Sequence, residues 1–202
     1  TKHLVIKVDL SKNDEIKPSI NKAIKFLKKI DIILHIAGGG YGLKDSLISN
    51  QNLNLLFQVN LGAAIEINRL IIRNNSKRQN IKIIHVGSIA SSEAVGSIGY
   101  NVVKSALAAY VRSAGKEFYK KNVIVTGILP GGFISKGNAM DRLRKKNRTI
   151  YDKFIKTRLP RGKMGNINEV LSVLLFLCSK HSSMMGGSLI PVDGGEGKAY
   201  QA

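Results

Sequence analysis

The chain has 202 residues, 44% of them apolar, and a formal net charge of +19 from 32 basic and 13 acidic side chains. One sizeable core is affordable at that length and nothing reads as a linker, so a single domain over 1–202 is expected. The longest apolar run, LSVLLFLC from Leu171 to Cys178, is far short of the roughly 18 residues a membrane span requires, and a lone cysteine cannot form an internal disulfide; the cytoplasm is the natural compartment.

Short β-branched runs alternate with helix-period stretches along the chain. The runs are HLVIKV (3–8), DIILHI (31–36), IKIIHV (81–86), NVIVTGIL (122–129) and SLIPV (188–192). Apolar on both faces, they read as central strands of a parallel sheet. Helices are predicted near 14–29, 50–73, 98–119 and 168–179. The order indicates an α/β fold, a doubly wound parallel sheet of Rossmann-like type with helices on both faces. Ligands in that architecture bind beyond the carboxyl ends of the strands, where AGGGYG, GSIASS, PGGFIS and DGG fall. The segment from Gly137 to Pro160 is too long for an ordinary connection. Its Ile150, Tyr151, Phe154, Ile155 and Leu159 recur at roughly helical spacing, which gives either an amphipathic lid helix or one packed permanently on the body.

Between Lys136 and Lys163 there are 11 basic residues against only Asp141 and Asp152. About half of the excess charge thus falls in this one segment and the remainder is scattered along solvated helix faces such as Lys22, Lys25, Lys28 and Lys29; no zinc-finger or RNA-recognition signature accompanies it. Neither nucleic acid nor a membrane is expected as a partner. His3, His35, His85 and His181 are isolated and no HExxH or paired-cysteine spacing occurs, so no metal is expected. His35 and His85 lie in apolar strands and read as satisfied core histidines.

Tyr100 and Lys104 stand four residues apart at the start of an Ala-rich helix, with Ser88 at the end of the strand before it. Residues four apart share a helix face. An ammonium beside a phenol favours the phenolate, which predicts a lowered Tyr100 pKa. A phenol and a hydroxyl at one strand end suit a general acid and a carbonyl-polarising group.

These residues, with others in the same order, resemble the short-chain dehydrogenase/reductase family. HIAGG (35–39) is similar to its NNAG segment, FQVNLG (57–62) to its Asn segment and IIHVGS (83–88) to its Ser-bearing strand. YNVVK (100–104) is similar to its YxxxK element, LPGGFIS (129–135) to its PGxxxT loop, and residues 159–195 to its C-terminal end. The resemblance implies catalytic roles for Asn60, Ser88, Tyr100 and Lys104. Tyr100 would be general acid in reduction and base in oxidation. Ser88 would bond the substrate oxygen, Lys104 the nicotinamide ribose, and Asn60 a water relaying protons to Lys104.

The implied cofactor is NAD(P), with NADP favoured. Asp9 and Leu10 would approach its adenine ring, Ile36, Ala37 and Gly38 would lie along it with Tyr100 and Lys104, and Pro130, Gly131, Phe133 and Ser135 would meet the nicotinamide end. By the same resemblance HLVIKV is the family's third strand. A fragment is then expected, without the first βαβ unit of about 30 residues or more that carries the phosphate turn and the selector of NAD or NADP. His35 and Ile36 stand where the family has asparagines, a change expected to remove braces and loosen that turn.

The resulting expectation is hydride transfer between NAD(P)(H) and a ketone or secondary alcohol by a homodimer or homotetramer. The basic segment favours an anionic substrate: a nucleotide-linked sugar, a phosphorylated metabolite, or a 3-oxoacyl group on an acidic carrier protein. A non-catalytic Rossmann-fold binding or regulatory subunit is the alternative.

Overall fold

The structure, a computed structural model, describes residues 2–74 and 80–199. In chain order the elements are α1 (Asn13–Leu27), β1 (Ile32–His35), α2 (Asn50–Phe57), a π-helical turn (Gln58–Gly62), α3 (Ala63–Asn74), β2 (Ile81–Val86), α4 (Ile98–Tyr119), β3 (Val123–Pro130), β4 (Phe133–Ile134), α5 (Ala139–Lys146), α6 (Arg148–Arg158), β5 (Gly165–Asn166), α7 (Ile167–Cys178) and β6 (Leu189–Val192). The main sheet is wholly parallel, in the order β1-β2-β3-β6, and β4 pairs with β5 beside it.

The doubly wound arrangement follows from strands that are apolar on both faces. On one face Ile81, Ile83, Val123 and Val125 pack with Leu61, Ile71, Leu107 and Val111 of the π turn, α3 and α4. On the other, Ile84 and Ile128 pack with Val170, Leu174 and Leu177 of α7. Gly115 lets α4 cross the loop at Gly187 so closely that a Cβ there would fall 2.1 Å from the Gly187 nitrogen.

Four of the five predicted strands form. Residues 3–8 do not: they carry no regular structure, Val5 is 91% exposed, and the outer strand on the near side of the sheet is β1. A strand is held by its ladder to a neighbour, and among the described residues no strand lies alongside this segment. The predicted helix over 50–73 forms but carries a π turn at its middle. Taken whole, Asn50–Asn74 is long and apolar enough to cross a membrane by length and composition, a possibility the shorter run at Leu171 did not bring out. Half of its most apolar stretch is buried inside the fold, and its Asn60 and Asn68 spend their amides on buried partners, as suits a core helix.

The lid segment is two helices rather than one. Asn147 has extended backbone and its side chain caps Ile150, starting α6 as α5 ends. Tyr151 and Leu159 are buried against the body, so the segment rests on the protein.

Candidate active site

Tyr100, Lys104 and Ser88 meet at the carboxyl end of β2. Tyr100 and Lys104 stand one turn apart near the N-terminus of α4, and Lys104 Nζ lies 5.6 Å from the centre of the Tyr100 ring. The amine donates to the Val86 carbonyl at 3.2 Å. The Ser88 oxygen accepts from the Ala90 amide, which fixes it on the turn after β2, and its hydroxyl lies close enough to the Tyr100 phenol to favour the phenolate.

The electrostatics differ from the sequence expectation. Burial raises the Tyr100 pKa, and the Ser88 bond only partly offsets it. Lys104 is itself stripped of water, which lowers its pKa to about 8. Its amine sits over the ring rather than at the hydroxyl, so the desolvation of the phenol dominates. Tyr100 is thus a phenol that keeps its proton at neutral pH, beside a lysine that can lose one just above it.

Asn60 occupies the π turn, a helical irregularity frequent at functional sites. Its Nδ2 donates to the carbonyls of Leu56 and Gly39, and its Oδ1 accepts from the Gly39 amide at 2.9 Å. This clamps the glycine turn after β1 onto the helix. Gly38 has φ +148°, and a Cβ there would fall 2.6 Å from Asn60 Oδ1 and 3.6 Å from Lys104 Nζ. A Cβ on Gly40 would lie 3.8 Å from the Tyr100 ring. The turn is therefore a cradle of bare backbone beside the amine and the phenol, against which a flat, hydroxylated group can lie.

The remaining sequence-predicted residues are distributed around this rim. Ile36, Ala37 and Gly38 are exposed beyond β1. Leu10 is drawn to the same place, since Gln58 of the π turn donates to its carbonyl. Asp9 opens the turn into α1 and accepts from the Ser11 amide and hydroxyl. Pro130 ends β3, paired with Val192, and the Gly131 amide continues that ladder. Phe133 lies in β4 and Ser135 just after it. Asn60, Ser88, Tyr100, Lys104 and the Gly38 turn are brought into one cluster, while the hydrogen bonds of Asp9 go to Ser11 and Glu15. A cavity of about 180 Å³ lies farther along, lined by Gly132, Phe133, Leu159, Arg161, Asn166 and Asp193.

Two features escaped the sequence reading. Glu196 is buried; its carboxylate accepts from the Gly132 amide and pairs with Arg158 of α6 at 3.3 Å, joining the loop after β3 to the lid helices. Its only signal was the DGGEG turn. His35 also does not leave its turn loose: Nε2 bonds Asn68 Oδ1 at 2.8 Å, replacing the brace that asparagine was expected to supply.

The sequence model of a family described as enoyl-(acyl carrier protein) reductase matches residues 1–196. The chain is 29% identical over 194 residues to 3-oxoacyl-[acyl-carrier-protein] reductase FabG of Buchnera aphidicola, covering 94% of this chain and 76% of that protein. It is 30% identical to nodulation protein G of Rhizobium meliloti, covering 93% and 74%. A crystal structure of a 3-oxoacyl (acyl-carrier-protein) reductase from Agrobacterium tumefaciens with NADP bound superposes with a TM-score of 0.82 at 25% identity, over 93% of this chain and 72% of that one. L-sorbose reductase of Gluconobacter frateurii shares the fold with a TM-score of 0.85 at 22% identity, over 96% and 76%.

Proposed function

The chain belongs to the short-chain dehydrogenase/reductase family of oxidoreductases, and we propose that residues 1–202 act as one Rossmann-like domain reducing a ketone, or oxidising the corresponding secondary alcohol, with NADP(H). The observation that carries this reading is the Lys104 amine 5.6 Å from the centre of the Tyr100 ring, held by the Val86 carbonyl beside the Gly38 cradle and the Ser88 turn. The bare backbone of that cradle, with an ammonium 3.6 Å from where a Cβ would be, fits a nicotinamide ribose: close approach and a donor for its hydroxyls. When bound, the cofactor supplies the hydride.

The protein's part is proton transfer and orientation. Tyr100 holds its proton through neutral pH and gives it to the substrate oxygen as that oxygen gains charge. Ser88 donates to the same oxygen and keeps the phenol aimed. Lys104, with a pKa of about 8, returns a proton to the phenol side of the site near working pH. Asn60 holds the glycine turn where a water can connect Lys104 to solvent. Asp9 and Leu10 flank the adenine end, Ile36 and Ala37 extend the cradle, and Pro130, Gly131, Phe133 and Ser135 border the nicotinamide end.

The preferred substrate is a 3-oxoacyl group on an acidic carrier protein. Support comes from the relatives named for that reaction and from the basic lid, where Lys136, Lys146, Lys153 and Lys156 are exposed. NADP over NAD is supported by the NADP in the Agrobacterium structure. A homodimer or homotetramer is supported by exposed Phe57, Ile98 and Val102 on α2 and α4, and a cytoplasmic setting by the carrier-linked chemistry. The test is oxidation of NADPH, against NADH, with an acetoacetyl carrier protein and with small ketones, for the wild type and Tyr100→Phe. Loss of about 10²–10⁴-fold in the variant is expected; equal turnover overturns the assignment.

A further inference from the structure

Beneath the site lies a buried polar cluster that none of these roles uses. His35 and His85 face each other across the β1–β2 register and stack with ring centres 4.5 Å apart and planes 19° from parallel. Asn68 of α3 lies between their edges: Oδ1 is 2.8 Å from His35 Nε2, and Nδ2 is 3.0 Å from the Tyr110 hydroxyl and 3.5 Å from His85 Nε2. Tyr110 of α4 meets His85 edge-on at 5.7 Å.

One amide fixes both tautomers. An amide oxygen only accepts, so His35 carries its proton on Nε2. An amide nitrogen only donates, so His85 has its lone pair there and its proton on Nδ1. A ring that accepts at Nε2 is neutral, so this arrangement holds only while His85 is uncharged. A second proton on His85 would point at the Asn68 donor and would place a charge facing Lys104. Among the described residues the titratable or charged groups facing the pair are Tyr110 and Lys104, both from α4; the neutral amide of Asn68 meets them from α3, and on β3 the register partner of His85 is Gly127, which has no side chain. Burial accordingly lowers the pKa of both histidines, His85 the more, with His35 and Lys104 adding to the effect.

The cluster sits at the strand ends that deliver the site. His85 precedes Val86, whose carbonyl holds Lys104 Nζ, and lies three residues before Ser88. His35 lies three before Gly38. We propose that His35, Asn68, His85 and Tyr110 form a positioning element that keeps the ends of β1 and β2, and through them Lys104 and Ser88, in working register, and that protonation of His85 sets the acid limit of activity. This rests on the reductase reading above.

The experiment has two arms. The first measures kcat and KM for NADPH-dependent reduction from pH 9 down to the acid limit at which the wild type still folds, in the wild type, His85→Asn and His35→Asn. An asparagine can still bond Asn68 but cannot titrate. His85→Asn is expected to stay within about threefold of the wild type at pH 8 and to lack the acid limb, which in the wild type falls about tenfold per pH unit in kcat with little change in KM. His35→Asn, which removes the neighbouring charge site, is expected to move that limb to higher pH. The second arm reads the histidine ring nitrogens of the full chain by NMR without substrate. Opposite tautomers, both neutral at pH 6.5, are expected. An unchanged acid limb in His85→Asn, or rings that share a tautomer or are charged at pH 6.5, overturns the proposal. If no carbonyl compound is turned over, the reductase reading fails and the NMR arm still judges the cluster, including where His85→Asn does not fold.

Discussion

Lys104 places its Nζ 5.6 Å from the centre of the Tyr100 ring and spends one N–H on the carbonyl of Val86. The contact ties helix α4 to the end of β2 through a cation that burial has made easy to discharge. Its folded pKa of about 8 lies below the ordinary 10.5, so the unfolded chain binds the proton more tightly. Stability linked to this group is greatest above 10.5 and is lost as pH falls through about 8. Lys104→Met should therefore abolish turnover yet raise the unfolding free energy at pH 7 by about 1–2 kcal/mol, after the cost of leaving Val86 without its donor. Urea titrations from pH 7 to 10.5 check this: the wild type should gain stability relative to the variant as pH rises.

Ser88→Ala removes the bond that offsets burial at Tyr100. The phenol should hold its proton to higher pH, turnover should fall about 10²-fold, and the pH optimum for alcohol oxidation, which needs the phenolate, should move up. An unmoved optimum would show that the two hydroxyls are not coupled.

Gly38→Ala brings a Cβ to 2.6 Å from Asn60 Oδ1 at a backbone angle, φ +148°, that side chains rarely adopt. A cost of about 2–3 kcal/mol is expected, with cofactor affinity lost first because the cradle and the Asn60 clamp move together. Thermal melting with and without NADPH separates the two effects: the variant should lose the ligand-induced rise.

Glu196 is buried, and desolvation raises its pKa above 4.5 despite Gly132 and Arg158. The contribution of its protonated form is complete below the unfolded value and is lost as pH rises through the folded one. Glu196→Gln should flatten the decline in urea midpoint above pH 4.5. Glu196→Ala should cost about 2 kcal/mol near pH 4.5 by leaving the Gly132 amide and Arg158 unpaired, less as the pH rises and the buried carboxylate loses its own advantage, and should raise KM as the lid helices lose their tie.

The basic lid is not uniformly available. Asp141 is buried and held at about 2 by Lys145 foremost, then by the Gly137 amide and Arg144, so neutralising those cations would damage α5 itself. Lys136, Lys146, Lys153 and Lys156 are the exposed set to replace by Gln. Affinity for an acidic carrier protein should drop about tenfold at low salt and lose much of its salt dependence, while turnover of a small neutral ketone stays within about twofold. Unchanged carrier affinity would remove that substrate class.

The sequence by itself determined the parallel sheet, four of its strands, the long α4 with Tyr100 and Lys104 on one face, and the gathering of glycine turns at one rim. Those follow from local periodicity and from spacing, which the backbone converts directly into geometry. Only the tertiary structure decided the rest. HLVIKV has a strand's composition, but composition supplies no neighbour to pair with. The Tyr100–Lys104 spacing placed the two side chains together, yet the direction of the phenol's shift depended on how much water the fold removes from each. The Asn68 bridge between His35 and His85, and the Glu196 link across 64 residues to Gly132, depend on long-range packing that no pattern of neighbouring residues encodes.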